Sequence, residues 1–453
     1  MISRSALSRG TQLALRSSGA AKIAQRGFAA AASEKASYEP TNIAGVKVAA
    51  RDDGGPTTRL AIVAKAGTRY ETLPGLTVGL EEFAFKNTTK RSALRITRES
   101  ELLGGQLSAY HTREALVLQA NFLRADLPYF AELLAEVISQ TRYTTHEFRE
   151  EVEGVIRYKQ SKVDAAAIAL DAAHSVAFHT GLGNPLYPTA STPIGPYLDE
   201  SNVATYASAA YTKPNISVVA DGASQAALSK WIEPFFKDVP SDSQVKLEQS
   251  ASKYYGGEAR IAKIGANAVV IGFPGASLGA SQPEVAVLVG LLGGESNVKW
   301  SPGFSLLSKV AASAPGAHAH AANFAYSDAG LFTIQISGSA PHVRKAAEES
   351  VKALKSIAEG GVAQEDVVKA VAKARFNLLS LSETSGAGLV HAGANLISGG
   401  QPLQVAERLK ALESVTGDKL KAAAKALLEG KASVASVGDL HVLPFAEELG
   451  LKV

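Results

Sequence analysis

The segment Pro74–Lys90, PGLTVGLEEFAFKNTTK, decides how the chain is read. Leu76, Leu80, Phe83 and Ala84 recur at helical spacing and predict a helix over 74–86 with one apolar face. On it, Val78, Glu81 and Glu82 stand where an inverted zinc-peptidase motif, H-x-x-E-H, would carry its three polar side chains. That chemistry needs two imidazoles one helical turn apart to bind the metal, and a carboxylate to deprotonate the metal-bound water. Valine has no lone pair, so Val78 cannot act as a ligand. The frame of a hydrolytic site is present and its first imidazole is not.

The 453 residues are too many for one ordinary core, so at least two domains are expected. The most apolar stretch, Val285–Leu292, is closed by Gly293 and Gly294 and is far shorter than the roughly 18 residues of a membrane span. Cysteine is absent, which excludes disulfides, thiolate chemistry and Cys-ligated clusters. Residues 1–33 carry Arg4, Arg9, Arg16, Lys22 and Arg26, no acidic residue, and many Ser and Ala. This is the composition of a mitochondrial targeting peptide, with a cleavage signal around Arg26–Ala29. Removing those five cations from 46 leaves 41 basic against 43 acidic residues. The basic character of the whole chain therefore belongs to the leader and gives no support to nucleic-acid binding.

The remainder reads twice through one plan. Strands at 44–51 and 58–66, helices at 74–86 and 93–103, and strands at 106–112 and 115–122 come first. Helices to about 211, a strand at Asn215–Asp221 and a helix at 224–237 complete that half. The Pro-, Ser- and charge-rich residues from Asp238 onward read as a linker. Strands at 259–264 and 268–274, a helix at 282–292, strands at 316–324 and 330–337, several helices and the strand Ala432–Val437 follow. At one offset of 216 residues, Leu118-Gln119 lies over Ile334-Gln335, Ser217-Val218 over Ser433-Val434, and Gly222 over Gly438. Thr145–Gln160 lies over Gly361–Phe376 at the same offset, which points to an internal duplication. The expected division is 1–33 targeting peptide, 34–237 first domain, 238–257 linker and 258–453 second domain.

The surroundings of the opening segment resemble the pitrilysin/insulinase metallopeptidase family, with its pattern H-x-L-E-H-x-A-F-K-G-T. Leu80, Glu81, Ala84, Phe85, Lys86 and Thr88 match, Asn87 replaces the glycine, and Val78 and Glu82 replace the histidines. Ala66-Gly67-Thr68-Arg69-Tyr70-Glu71, Ile96-Thr97-Arg98 and Gly104-Gly105-Gln106-Leu107-Ser108 extend the resemblance. So do Thr112-Arg113-Glu114, Asn184-Pro185-Leu186-Tyr187 and the glycine loop Gly293–Trp300. The likeness covers the whole mature chain and is greatest to a non-catalytic branch of core subunits of respiratory complex III.

That resemblance implies an α+β fold of two related halves, each a mixed β-sheet with helices packed on one face, facing each other across a cavity. It implies a structural role without proteolysis, with no catalytic, cofactor-binding or metal-binding residue. The partners it implies are a related core protein 1 subunit, cytochrome b and cytochrome c1, at a peripheral position on the matrix side of the mitochondrial inner membrane. The alternative is the non-catalytic, presequence-recognising subunit of the mitochondrial processing peptidase, whose long glycine-rich loop residues 290–303 fit poorly. The family's third ligand, a glutamate roughly 76 residues after the second histidine, falls near Tyr158, with Glu150, Glu151 and Glu153 close by. A phenol with a pKa near 10 is a poor zinc ligand. Glu81 and Glu82 are expected as solvated carboxylates on a helix flank, the alternative being a vestigial polar cluster.

Other histidines are weaker candidates. His174 and His179 sit five apart in a predicted helix and so point about 140° away from each other. His318 and His320 alternate on one side of a predicted strand, a spacing that also ligates metal, but without a nearby carboxylate. The glycines at 293–303 form neither a G-x-x-x-x-G-K-[ST] nor a G-x-G-x-x-G pattern, which argues against a nucleotide site.

Overall fold

The computed structural model describes residues 38–453 except 191, 248–249, 281, 295–302, 384 and 403–404. The segment 1–33 and the Glu295–Trp300 part of the glycine loop lie outside the described residues.

The first sheet contains β1 (Glu39–Ile43), β2 (Val46–Arg51), β3 (Thr57–Ala64), β4 (Gln106–His111), β5 (Leu116–Leu123) and β6 (Ile216–Asp221). The second contains β7 (Gly257–Ala262), β8 (Asn267–Pro274), β9 (His318–Ala325), β10 (Gly330–Gly338) and β11 (Ser433–Gly438). The strand orders are β1-β2-β6-β3-β5-β4 and β7-β11-β8-β10-β9, so β1 apart the two sheets have the same topology. Each is mixed, with β2–β6 and β7–β11 parallel and the other pairs antiparallel. The duplication extends to register. Ile62 on β3 pairs with Leu118 and Val218, and Ile271 on β8 pairs with Ile334 and Val434. Both partners shift by the 216 residues read from the sequence.

Successive side chains of a strand point to opposite faces, and the central strands are near-continuous apolar runs, so both of their faces are apolar and buried. On one face of the first sheet, Val48, Leu60, Ile62, Leu118 and Val218 pack with the half's own helices, Leu127–Gln140 among them. On the other, Ala49, Ala61, Val63, Val117 and Val219 meet Leu389, Ala392 and Leu396 of the Ser385–Ile397 helix, which comes from the second half. The second sheet mirrors this: Val269, Ile271 and Ile334 face their own helices. Ala268, Val270, Ala435 and Val437 receive Ala165, Ala169 and Ala173 of the Ala165–Phe178 helix, from the first half. Own helices on one face are what the sequence implies. The reciprocal loan of a helix to the opposite face is what the structure adds.

Small residues allow these loans. Ala165, Ala169 and Ala173 form an i, i+4, i+8 stripe that brings one helix close to its sheet. At Gly393 a Cβ would lie 2.4 Å from Val63 Cγ2, so the Ser385–Ile397 helix approaches β3 at a point with no room for a side chain. Ser217 Oγ donates to Gly393 O at 3.1 Å, and Lys47 Nζ donates to Leu396 O at 2.8 Å, placing a cation at the helix C-terminus.

Some boundaries differ from the sequence reading. The helix predicted over 74–86 spans Leu76–Glu82, because Phe83 caps it and Phe85 takes a positive φ of 61° that no helix continues. The strand predicted at 44–51 begins at Val46, because Ala44 and Gly45, with φ of 54° and 84°, turn the chain back from an additional strand, Glu39–Ile43. The described residues between Asp238 and Gly256 hold no helix or strand but are tied down. Tyr255 N donates to Ala177 O at 2.9 Å and Tyr254 OH to Lys431 O at 3.0 Å.

Gly393→Val should destabilise the chain by about 1–3 kcal/mol through overpacking at the borrowed helix. Gly154→Ala, at an exposed helical position with open space around it, should instead gain up to about 1 kcal/mol. Urea midpoints check both, and equal midpoints for the two variants would contradict the packing described.

Candidate functional site

Gly75, at φ 96°, turns the chain into the Leu76–Glu82 helix, which is buried from Leu76 to Glu81, with Leu76 and Leu80 on one side and Val78 on the other. Val78 sits in the hydrophobic core of the first half with no exposed surface. One turn on, Glu81 is buried at 8% exposure, and Glu82 is about one-fifth exposed. Neither is the solvated flank carboxylate expected from sequence. Lys159 Nζ, from the Glu153–Ser161 helix, lies 2.6 Å from Glu81 Oε1 and 2.5 Å from Glu82 Oε1. His111 Nδ1, from edge strand β4, contacts Glu81 Oε2. His111 Nε2 donates to Leu186 O at 2.8 Å, which fixes the ring, so the Nδ1–carboxylate contact is bridged by a proton. Tyr187 closes the cluster, edge-on to His111 with centroids 5.2 Å apart and with Lys159 Nζ 5.7 Å from its ring centroid.

Burial pushes the Glu81 carboxyl up, but the hydrogen bonds and charges of His111 and Lys159 outweigh it and hold its pKa below the ordinary value. Burial pulls Lys159 down, and the two carboxylates more than reverse it. The cluster is a compensated ion network at the base of the peptidase-like helix.

A zinc ion does not fit these residues. The first ligand position is an apolar side chain within the core, the second is Glu82, and the carboxylates already hold an ammonium. Tyr158, the counted third-ligand position, is 63% exposed and lies under Lys162 Nζ rather than near Glu81. Glu151 pairs with Lys86, Glu150 with His146 at 3.1 Å and Glu153 with Arg157 at 2.5 Å, so all three have partners elsewhere. Among the described residues no group of three or more His, Cys, Asp or Glu side chains is arranged to hold a metal ion.

The other histidines separate. His174 is buried in the borrowed helix, its Nδ1 donating to Leu170 O and its Nε2 accepting from Tyr326 OH, each at 2.8 Å. Burial, with the nearby Arg113 charge, holds it well below the ordinary histidine range, so it is a neutral bridge between the halves. His179 lies just past the helix end, at φ 61°, and stacks on Tyr255 with centroids 4.0 Å apart. His318 and His320 are both exposed on β9, and Gly294 forms an isolated antiparallel bridge with His320.

A second polar centre, unpredicted as such, joins the halves. Arg69, with a fully buried guanidinium, reaches Glu114 Oε1 at 2.6 Å and both carboxylate oxygens of Asp328 at 2.7 Å. It also donates to Ser250 O at 3.0 Å. Glu114 accepts from Ser327 N at 2.9 Å, and Asp328 accepts from Ser252 N at 2.9 Å. Arg69 and Glu114 belong to motifs quoted for the family resemblance, but the β9–β10 turn that meets them has no sequence signal linking it to them. Burial raises the Asp328 carboxyl, yet the Arg69 and Ser252 hydrogen bonds prevail and set it at about 2.

A duplicated pair of mixed sheets, each entered by a helix of the other half, with a polar cluster on the Leu76–Glu82 helix, defines a peptidase-like shell. The chain belongs to the M16 peptidase family: residues 47–190 match the family model described as Insulinase (Peptidase family M16) and residues 198–374 match the Peptidase M16 inactive domain. Over 454 residues it is 73% identical to the cytochrome b-c1 complex subunit 2, mitochondrial, of Neurospora crassa, covering 100% of both chains. It is 39% identical to the protein of that name from Cryptococcus neoformans, over 91% of this chain and 94% of that one. The alpha subunit of the mitochondrial-processing peptidase of Solanum tuberosum is 27% identical, over 91% of this chain and 84% of its own.

Arg69→Met should cost about 1–3 kcal/mol, because it leaves the half-buried Glu114 carboxylate without its cation, while Asp328, about one-third exposed, is partly screened by water. The Asp328 carboxyl is depressed from 3.8, so its contribution is complete above pH 3.8 and is lost as pH falls through about 2. Denaturant titrations of both proteins check this: their stability gap should be constant from pH 5 to 7 and narrow below pH 3.8.

Proposed function

We propose that the chain is a non-catalytic structural subunit of the mitochondrial cytochrome b-c1 complex, respiratory complex III, supporting its assembly and stability. The observation that carries this reading is the full-length 73% identity to a subunit 2 of that complex. The substituted ligand position at Val78 supports it, since a fold is retained while the residue chemistry for hydrolysis is not. Two interlocked halves supply a large exterior suited to holding neighbours.

In the finer reading, residues 1–33 direct import, and 34–237 and 258–453 are the two peptidase-like domains joined by 238–257. The mature chain pairs with a related core protein 1 subunit and contacts cytochrome b and cytochrome c1 from the matrix side of the inner membrane. No helix among the described residues is long and apolar enough to cross a membrane, which accords with a peripheral position. The presequence-recognising subunit of the processing peptidase is the weaker reading, resting on 27% identity to the potato alpha subunit.

Chain solubilised in mild detergent should elute on a sizing column together with b- and c-type haem absorbance, and should show no tight binding of an Arg-rich presequence peptide. Elution alone and free of haem contradicts the assignment, and tight peptide binding favours the processing-peptidase reading.

A further inference from the structure

The network around Lys159 closes electrically. Glu81 and Glu82 bring two carboxylates to one end of a helix, where desolvation leaves little water to screen them. One ammonium touches both, and the remaining charge is met by the proton shared between Glu81 and His111. Three elements contribute to this cluster around the ammonium. The Leu76–Glu82 helix supplies the two carboxylates, β4 supplies His111, and the loop after the Ala165–Phe178 helix supplies Tyr187. Behind His111, Asp171 of that helix is neutralised by Arg113. A divalent cation entering here would meet no uncompensated carboxylate and would have to displace Lys159.

We infer that Lys159 is a built-in counter-cation: its ammonium does the charge-balancing that a metal ion would do beside this helix, joins the Leu76–Glu82 and Glu153–Ser161 helices, and bars divalent metals from the site. The family's metal is therefore replaced by an internal charge, and the polar cluster is retained as a strut. Position matters as well as sign. Lys159 follows the exposed Tyr158 by one residue, so a shift of 100° around the helix separates an outward phenol from an inward ammonium.

The test uses the isolated full chain, so it is independent of whether the chain assembles with haem proteins. Three variants are compared with wild type by thermal unfolding: Lys159→Met, Lys159→Arg, and the triple Glu81→Gln/Glu82→Gln/Lys159→Met. At pH 7.5, Lys159→Met should lower the midpoint by about 2–4 °C or more, Lys159→Arg should keep most of it, and the triple variant should regain it. Glu81 is held below its ordinary value of 4.5, so the Lys159→Met deficit should be complete above pH 4.5 and shrink as pH falls below it, where protonated Glu81 no longer needs the cation. Wild-type chain equilibrated with zinc and desalted should retain far less than one ion per chain by elemental analysis. If Lys159→Met yields no soluble chain, the triple variant decides: soluble folding supports charge compensation, and insolubility shows that the lysine acts through shape. A triple variant as unstable as the single one, an unchanged Lys159→Met midpoint, or one zinc held per wild-type chain overturns the inference.

Discussion

The structure depends on a packing constraint: each sheet has two apolar faces, and each half supplies helices for only one of them. The deficit is met by exchange. Ala165–Phe178 leaves the first half to lie on β8 and β11, and Ser385–Ile397 leaves the second to lie on β3 and β6. Neither sheet can be fully buried without the other half of the chain, so the duplicated plan produces one body rather than two beads on a linker. The Arg69–Glu114–Asp328 centre and the His174–Tyr326 hydrogen bond fall at this junction, where misplaced halves would strand buried polar groups.

The same exchange organises the polar cluster. The helix that carries Lys159 ends at Ser161, and the borrowed helix begins at Ala165. Its course onto the second sheet fixes the direction from which Lys159 approaches Glu81 and Glu82. A peptidase-like frame has thus been kept for its geometry. Its charged interior is satisfied by residues of the chain itself, which removes the need for a bound ion and any hydrolytic chemistry that such an ion would bring.

Much of the fold was legible because it is written in local patterns. Short apolar runs placed the central strands, and the 216-residue offset predicted equivalent registers that the pairs at Ile62 and Ile271 display. The hairpin at Ala44-Gly45 was missed because Ala at a positive φ is an uncommon turn signal. At the site, Val78 could be judged from its chemistry alone. Lys159 could not, because counting along the chain reached Tyr158, and one position of error on a helix exchanges the inward and outward faces. His111 lies 30 residues from Glu81, and only sheet formation brings β4 against the helix. Arg69 and Glu114 stood in the sequence as family motifs, but their junction role required the β9–β10 turn, more than 200 residues away.

Hydrogen exchange of the native chain tests the interlock most directly, because protection reports the free energy of local opening. If each borrowed helix completes the burial of its sheet, amides of Ala165–Phe178 and Ser385–Ile397 should be protected to the same degree as those of central strands β3 and β8. Exchange of the two helices several orders of magnitude faster than those strands would show that they detach independently, and would contradict a single interlocked shell.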